Sequence, residues 1–187
     1  MMNDLVGYYR AMARNNAWSN HRLLSACKAL TQAEFDAQRV SFFPSLTATL
    51  NHILFVDQLY IDALEGHARP FSEDNPCRSV AELSVAQAMS DRRLIAFCDG
   101  LAANALTRPV ELIRDDGVLR DSTERVLAHL FVHQIHHRGQ AHAMLAGTTA
   151  APPQLDEFLL ATDAPLRADD LRALGMREDD VWPRRPA

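Results

Sequence analysis

Apolar residues recur at spacings of three and four along most of the chain, the signature of helices with one buried face. In the first such run, residues 4–29, the stripe is Leu5, Tyr9, Met12, Asn16, Asn20, Leu23 and Cys27. Two amides therefore sit on an otherwise apolar face. Thr31 and Glu34 have capping-box spacing and predict a short extra turn over 31–38. "FFPS" breaks the pattern, and Pro44 and Ser45 lead into a second long helix, 46–65, closed by Gly66. Residues 67–78 read as a loop. Ser79 with Glu82 caps a third helix, 80–104.

The period then changes. Residues 108–121 read as an irregular hairpin or extended crossover with Asp116-Gly117 at its tip. Asp121 with Glu124 opens a fourth helix, 122–146, closed by Gly147. The tail, 148–187, carries short helices near 153–160 and 166–174. Four long helices with little strand content predict an all-α fold: a four-helix bundle with a long crossover between the third and fourth helices and a short helical tail. The whole chain, 1–187, reads as a single domain, a size that supports a full core.

Composition narrows the function classes. Apolar content of 48% and charged content of 23% fit a soluble globular protein. A net charge of −5 argues against a general nucleic-acid surface or a polybasic membrane patch. No apolar run approaches the roughly 18 residues of a membrane span. The N-terminus lacks a basic segment followed by an apolar one, so no signal peptide is expected. Cys27, Cys77 and Cys98 are odd in number and far apart, as free thiols in a reducing cytoplasm would be.

The chemistry concentrates in "AHLFVHQIHHRGQAH", residues 128–142. Of the eight histidines in the chain, five are here: His129, His133, His136, His137 and His142. On a helix, His137 points into the stripe of Val126, Leu127, Leu130, Ala141, Met144 and Leu145, and His133 lies at its edge. His129 and His137 are about 12 Å apart along the axis, too far to share one ion. His133 and His137, one turn apart, make the better pair. On the second helix, His52 shares a stripe with Thr49, Val56, Leu59, Tyr60 and Ala63. His21 on the first helix, beside Ser19 and Arg22, reads as more exposed. A lone HxxxH spacing is also common among histidines that only satisfy one another. A third, facing histidine makes a divalent ion with open coordination positions the stronger reading. Three imidazoles favour Zn or Ni and also accept Fe or Mn. Phe131 and Ile135, placed opposite the histidine side, call for cover by the tail or by a second copy, hence an expected homodimer.

These elements resemble a known family. "HQIHHRGQ", with "TLNHIL" about eighty residues earlier and "AWSNHRLL" in the first helix, is similar to the DinB-like (DNA-damage-inducible) four-helix bundle proteins over roughly residues 3–175. The resemblance implies that His52, His133 and His137 bind a divalent metal. It also implies two activities: a thiol-dependent S-transferase acting on a small electrophile with a low-molecular-weight thiol cosubstrate, or a metal-dependent hydrolase; a non-catalytic metal- or ligand-binding stress-response protein is the alternative from another class. Asn16, Asn20 and Arg138 are the candidates for contacting a polar cosubstrate. Gly139 reads as permitting close helix approach, Arg138 as a salt-bridge former, and Gln140 as a residue orienting a ligand ring.

Overall fold

The computed structural model describes residues 2–114 and 116–182. Its elements in order are α1 (Met2–Cys27), α2 (Gln32–Asp36), α3 (Leu46–Leu64), α4 (Val80–Asp99), β1 (Pro109–Arg114), β2 (Gly117–Ser122), α5 (Thr123–Leu145), α6 (Ala164–Ala173) and α7 (Glu178–Val181). Short 3-10 turns lie at Ala103–Ala105 and Ala161–Asp163. The fold is all-α apart from one antiparallel hairpin.

The four long helices form a bundle in which α1 and α3 each pack between α4 and α5. Contacts fix their directions. Tyr9 donates to the Glu124 carbonyl, and Arg138 to Asn20, so α1 and α5 run parallel. Gln87 meets Asp57 and Arg93 meets Asp62, so α3 and α4 run parallel. Arg14 reaches Asp99 while Asn20 reaches Asp91, so α1 and α4 are antiparallel. Consecutive pairs α1/α3 and α4/α5 are diagonal neighbours. The chain must cross an end of the bundle twice, and these crossings are the stretch containing α2 and the β1–β2 hairpin.

Local chemistry explains most boundaries. The Thr31–Glu34 capping box forms, and Ser45 and Ser79 each cap their helix through the side chain. The hairpin pairs Pro109 with Ser122 and Arg114 with Gly117, and Gly117 has φ 134°. Three expectations need correction. The helix that began at Ser79 stops at Asp99, with Gly100 as its C-cap, and does not reach 104. α5 opens on Ser122, not on an Asp121–Glu124 box. Its first amides are taken by carbonyls before the hairpin, Thr123 N–H by Arg108 and Glu124 N–H by Leu106, so no capping side chain is needed. Residues 153–160 form no helix: Pro152 and Pro153 stand at the start of the stretch, and the carbonyls of Gln154 and Leu160 serve Arg22 and Arg167.

The tail docks on α1. Buried Trp18, Phe158, Leu171 and Val181 form a small cluster of their own. Trp18 Nε1 and Arg22 Nε both donate to Asp170, and the Arg22 guanidinium lies 4.3 Å from the centre of the Trp18 ring. Phe131 is also not where its helical position suggested: it is buried and stacks on Tyr9 of α1, 6.2 Å between ring centres. Ile135 and Val132 stay exposed. No helix among the described residues is long and apolar enough to cross a membrane.

The main apolar core falls into two clusters. One gathers Met12, Val56, Leu59, Leu94 and Leu130; the other gathers Leu23, Leu50, Ile53, Leu83 and Ala141. Between them every long helix contributes buried polar side chains: Asn16 and Asn20 from α1, Asp57 from α3, Gln87 and Asp91 from α4, Gln134 and Arg138 from α5.

Candidate metal centre

Two helices and two loops build the centre. α3 and α5 run antiparallel and present His52 opposite His133 and His137. One nitrogen of each ring lies within 4.8 Å of the other two. His137 is buried; His52 and His133 are partly so. The loop after α3 returns over the trio because Asn51 grips it, donating to the Cys77 carbonyl at 2.9 Å and accepting from the Cys77 amide at 2.8 Å. That brings Glu73 to His52, Oε1 to Nδ1 at 2.9 Å, and sets Phe71 against the same ring. The segment before α3 brings Phe43 to 4.4 Å from the centre of the His52 ring and Phe42 to 6.0 Å from that of His137.

The partners of the outer nitrogens decide what the inner ones can do. The Glu73 carboxylate can only accept from His52 Nδ1, which leaves a lone pair on His52 Nε2. On His137, Nδ1 lies 2.9 Å from Gln140 Oε1 and donates to it, leaving Nε2 free. The same Gln140 donates its amide to His136 Nε2 at 3.0 Å. His52 Nε2 lies 3.2 Å from His133 Nε2. His133 Nδ1 is buried with no partner. Burial, then the neighbouring His137 and His52, pushes the His133 pKa down to about 3, and burial first also lowers that of His137. These rings are therefore neutral near pH 7. Two ring nitrogens bound tetrahedrally at about 2.05 Å from one ion would stand about 3.3 Å apart, which is nearly the separation found. The donor set fits a divalent cation.

The other sequence candidates lie elsewhere. Asn16, Asn20 and Arg138 are buried in the polar layer and bond to one another and to Asp91, not to the histidines of the trio. Arg138 Nη1 donates to the side-chain oxygens of both asparagines, and their amides donate on to Asp91 Oδ1 at 3.1 and 2.9 Å. Arg138 thus makes no direct ion pair among the described residues; two amides stand between it and the Asp91 carboxylate. Gly139 makes no close approach, since an added Cβ would meet nothing within 4 Å. His129 stacks on Tyr60, whose hydroxyl accepts from Arg114. His142 lies 2.9 Å from the Pro153 carbonyl, and His21 sits beside Asp170.

The sequence reading missed Gln87, Asp91 and Gln134. Gln134 Nε2 donates to Asp57 Oδ1 at 2.7 Å and to the Ile53 carbonyl at 3.2 Å. Gln87 Nε2 donates to Asp57 Oδ2 at 2.6 Å and to Asp91. Gln134 follows His133, and Ile53 follows His52, so these bonds fix the register of α5 against α3 at the level of the trio. Burial pushes Asp57 up to about 7, with the Asp91 charge adding to the rise and bonds from Gln87 and Gln134 opposing it. Asp91 is raised to about 6, again by burial. A signal for this layer existed: Gln87, Asp91, Leu94 and Cys98 share one helical stripe, so two polar groups face the core.

A four-helix bundle with three histidines converging from two antiparallel helices defines a class of proteins equipped to hold a metal ion. The DinB family model matches residues 1–169, and the chain belongs to that family. Protein DinB of Bacillus subtilis (strain 168) is 24% identical over 158 residues, covering 79% of this chain and 91% of the relative. The crystal structure of a DinB-like protein from Bacillus cereus ATCC 10987 superposes with a TM-score of 0.59 at 13% identity, covering 73% of this chain and 90% of that one. That likeness bears on the fold alone.

Proposed function

We propose that the protein is a metal-dependent enzyme in which His52, His133 and His137 hold one divalent ion, Zn or Ni ahead of Fe or Mn, and that it transfers a low-molecular-weight thiol to a small electrophile. The observation that carries this reading is the pair of facing Nε2 atoms 3.2 Å apart, with a lone pair fixed on His52 by Glu73. When bound, such an ion lowers the pKa of a thiol, so that thiolate forms near neutral pH. The chain's own residues do the rest. Glu73 and Gln140 hold two rings in their ligating orientation, and Phe42, Phe43 and Phe71 wall the site with apolar surface.

A specific observation ranks thiol transfer ahead of hydrolysis. Among the described residues, Glu73 is the one carboxylate that touches the trio, and it is spent on His52. Metal-held water and a metal-held thiol would each release their proton to solvent, but ester or amide hydrolysis also calls for a positioned acid at the leaving group, which displacement of a halide by thiolate does not. A non-catalytic binding protein is the third reading. In the test, protein purified without an affinity tag is analysed for metal and then assayed with glutathione, mycothiol and bacillithiol against a chromogenic electrophile. Conjugation should accelerate with at least one thiol, and chelation or His137→Ala should remove the acceleration. Ester turnover with no thiol dependence would promote the hydrolase. No turnover with any thiol or ester would leave the binding protein.

A further inference from the structure

Away from the trio, a cavity of about 600 Å³ lies between α1, α5 and the tail segment 154–159. That volume is in the range of small-molecule sites, roughly 300–1,000 Å³. Met12, Ile135, Phe158 and Leu159 supply apolar wall, and Arg138 supplies charge. Arg138 is only 3% exposed. Both hydrogens of its Nη1 go to Asn16 and Asn20. Its Nε and Nη2 donate to no residue among those described, and Arg138 is part of the cavity wall. A buried guanidinium with three unspent donors is costly unless something accepts from them. Nε and Nη2 together form the side-on edge of the guanidinium, the edge that takes a carboxylate through two parallel bonds.

Gly139 is the second independent feature. It lies in the same wall, and a Cβ there would meet nothing. The position carries the least helix-favouring residue short of proline where a larger one would fit, and the effect is to leave the cavity open. The tail side is held in place by the tilted packing of Trp18 against Phe158, 5.3 Å between ring centres, and by His142 against the Pro153 carbonyl. Gln154 and the carboxylate Asp156, also in the lining, are exposed and mark the mouth.

We propose that this cavity is a second ligand site, which binds a small amphipathic carboxylic acid with its carboxylate on Arg138 Nε and Nη2 and its chain along Met12 and Phe158. The site is separate from the metal centre and does not rest on the proposed activity. The test is calorimetric titration of the metal-loaded protein with octanoate, with octylamine as the cationic control of equal length. Octanoate should bind saturably at one per chain, and octylamine should not. Gly139→Leu fills the cavity without touching the polar layer; it should weaken octanoate binding at least about tenfold while the melting temperature without ligand stays equal or rises. Chelated protein should bind octanoate as the loaded protein does. The proposal is overturned by no saturable binding at millimolar octanoate, by equal binding of octylamine, by unchanged affinity in Gly139→Leu, or by binding that vanishes on chelation, which would put the acid on the metal.

Discussion

His133→Ala is expected to abolish tight binding of divalent metal, while His142→Ala leaves it unchanged. His133 stands at the middle of the trio, one turn from His137 and 3.2 Å from His52 across the groove. Its loss leaves two imidazoles on different helices, and an ion held by two ligands is weak. The drop in affinity should exceed the roughly 10–100-fold that loss of a ligand-orienting group costs. Glu73→Gln supplies that comparison: it keeps a partner at His52 but removes the charge that fixes which nitrogen is free, so its effect should fall within the smaller range. Competition against a chromophoric chelator reads all three. Wild type and His133→Ala binding zinc with equal stoichiometry and affinity would remove the metal centre and the proposed reaction with it.

The trio was legible because helix periodicity is a strong constraint. His133 and His137 one turn apart, and His52 on a core-facing stripe, leave little freedom once four long helices are granted. The aromatic wall was not legible. Phe42, Phe43, Phe71 and Glu73 lie in loops, where no period relates sequence position to direction, and what brings Glu73 to His52 is the Asn51 side chain gripping the Cys77 backbone. Helix starts with a side-chain cap were read well at Thr31, Ser45 and Ser79. The start of α5 was not, because its amides are satisfied by residues fifteen and eighteen positions earlier, through a crossover no local motif encodes. Phe131 failed for a related reason: the position of α1 beside α5 is a fact of topology, and Tyr9 covers it.

The polar layer links fold to site. Seven buried polar side chains at one level of a bundle are weak evidence for stability, since well-packed apolar residues often do as well or better. Their best-attested use is to fix register. Here the register at stake is that of α5 on α3, because Gln134 binds Asp57 and the Ile53 carbonyl immediately beside His133 and His52. An apolar layer could slide by part of a turn with modest loss; this one cannot slide without stranding buried amides and carboxylates. The layer thus holds the register of the two helices that carry the candidate metal ligands.

Arg138→Met should show the largest stability loss among single substitutions in that layer. Methionine keeps the length of the side chain but leaves Asp57 and Asp91 buried without the nearby positive charge that lowers both. Loss of the guanidinium also orphans the Asn16 and Asn20 side-chain oxygens, at about 1–3 kcal/mol for each buried group left unsatisfied. The sign of the pH dependence follows from the two carboxyls. Each has a folded pKa raised above the ordinary value of 3.8, to about 7 and about 6. Each therefore binds its proton more tightly in the folded state, and its stabilising contribution is complete below pH 3.8 and lost as pH rises through the folded value. Without Arg138 both folded values climb further, so the window of loss extends upward. The variant should fall short of wild type by the full amount at pH 8 and by clearly less at pH 5, where both carboxyls have taken up protons. Urea unfolding at the two pH values measures the difference, and comparing variant with wild type cancels the histidines common to both. A loss of equal size at pH 5 and pH 8 would mean that Arg138 acts through packing and not through its charge. Zinc affinity measured on the still-folded variant at pH 5 and pH 8 then tests the link between layer and centre: relative to wild type at the same pH, it should weaken more at pH 8, where Asp57, the acceptor of the Gln134 amide, has lost the most compensation from Arg138.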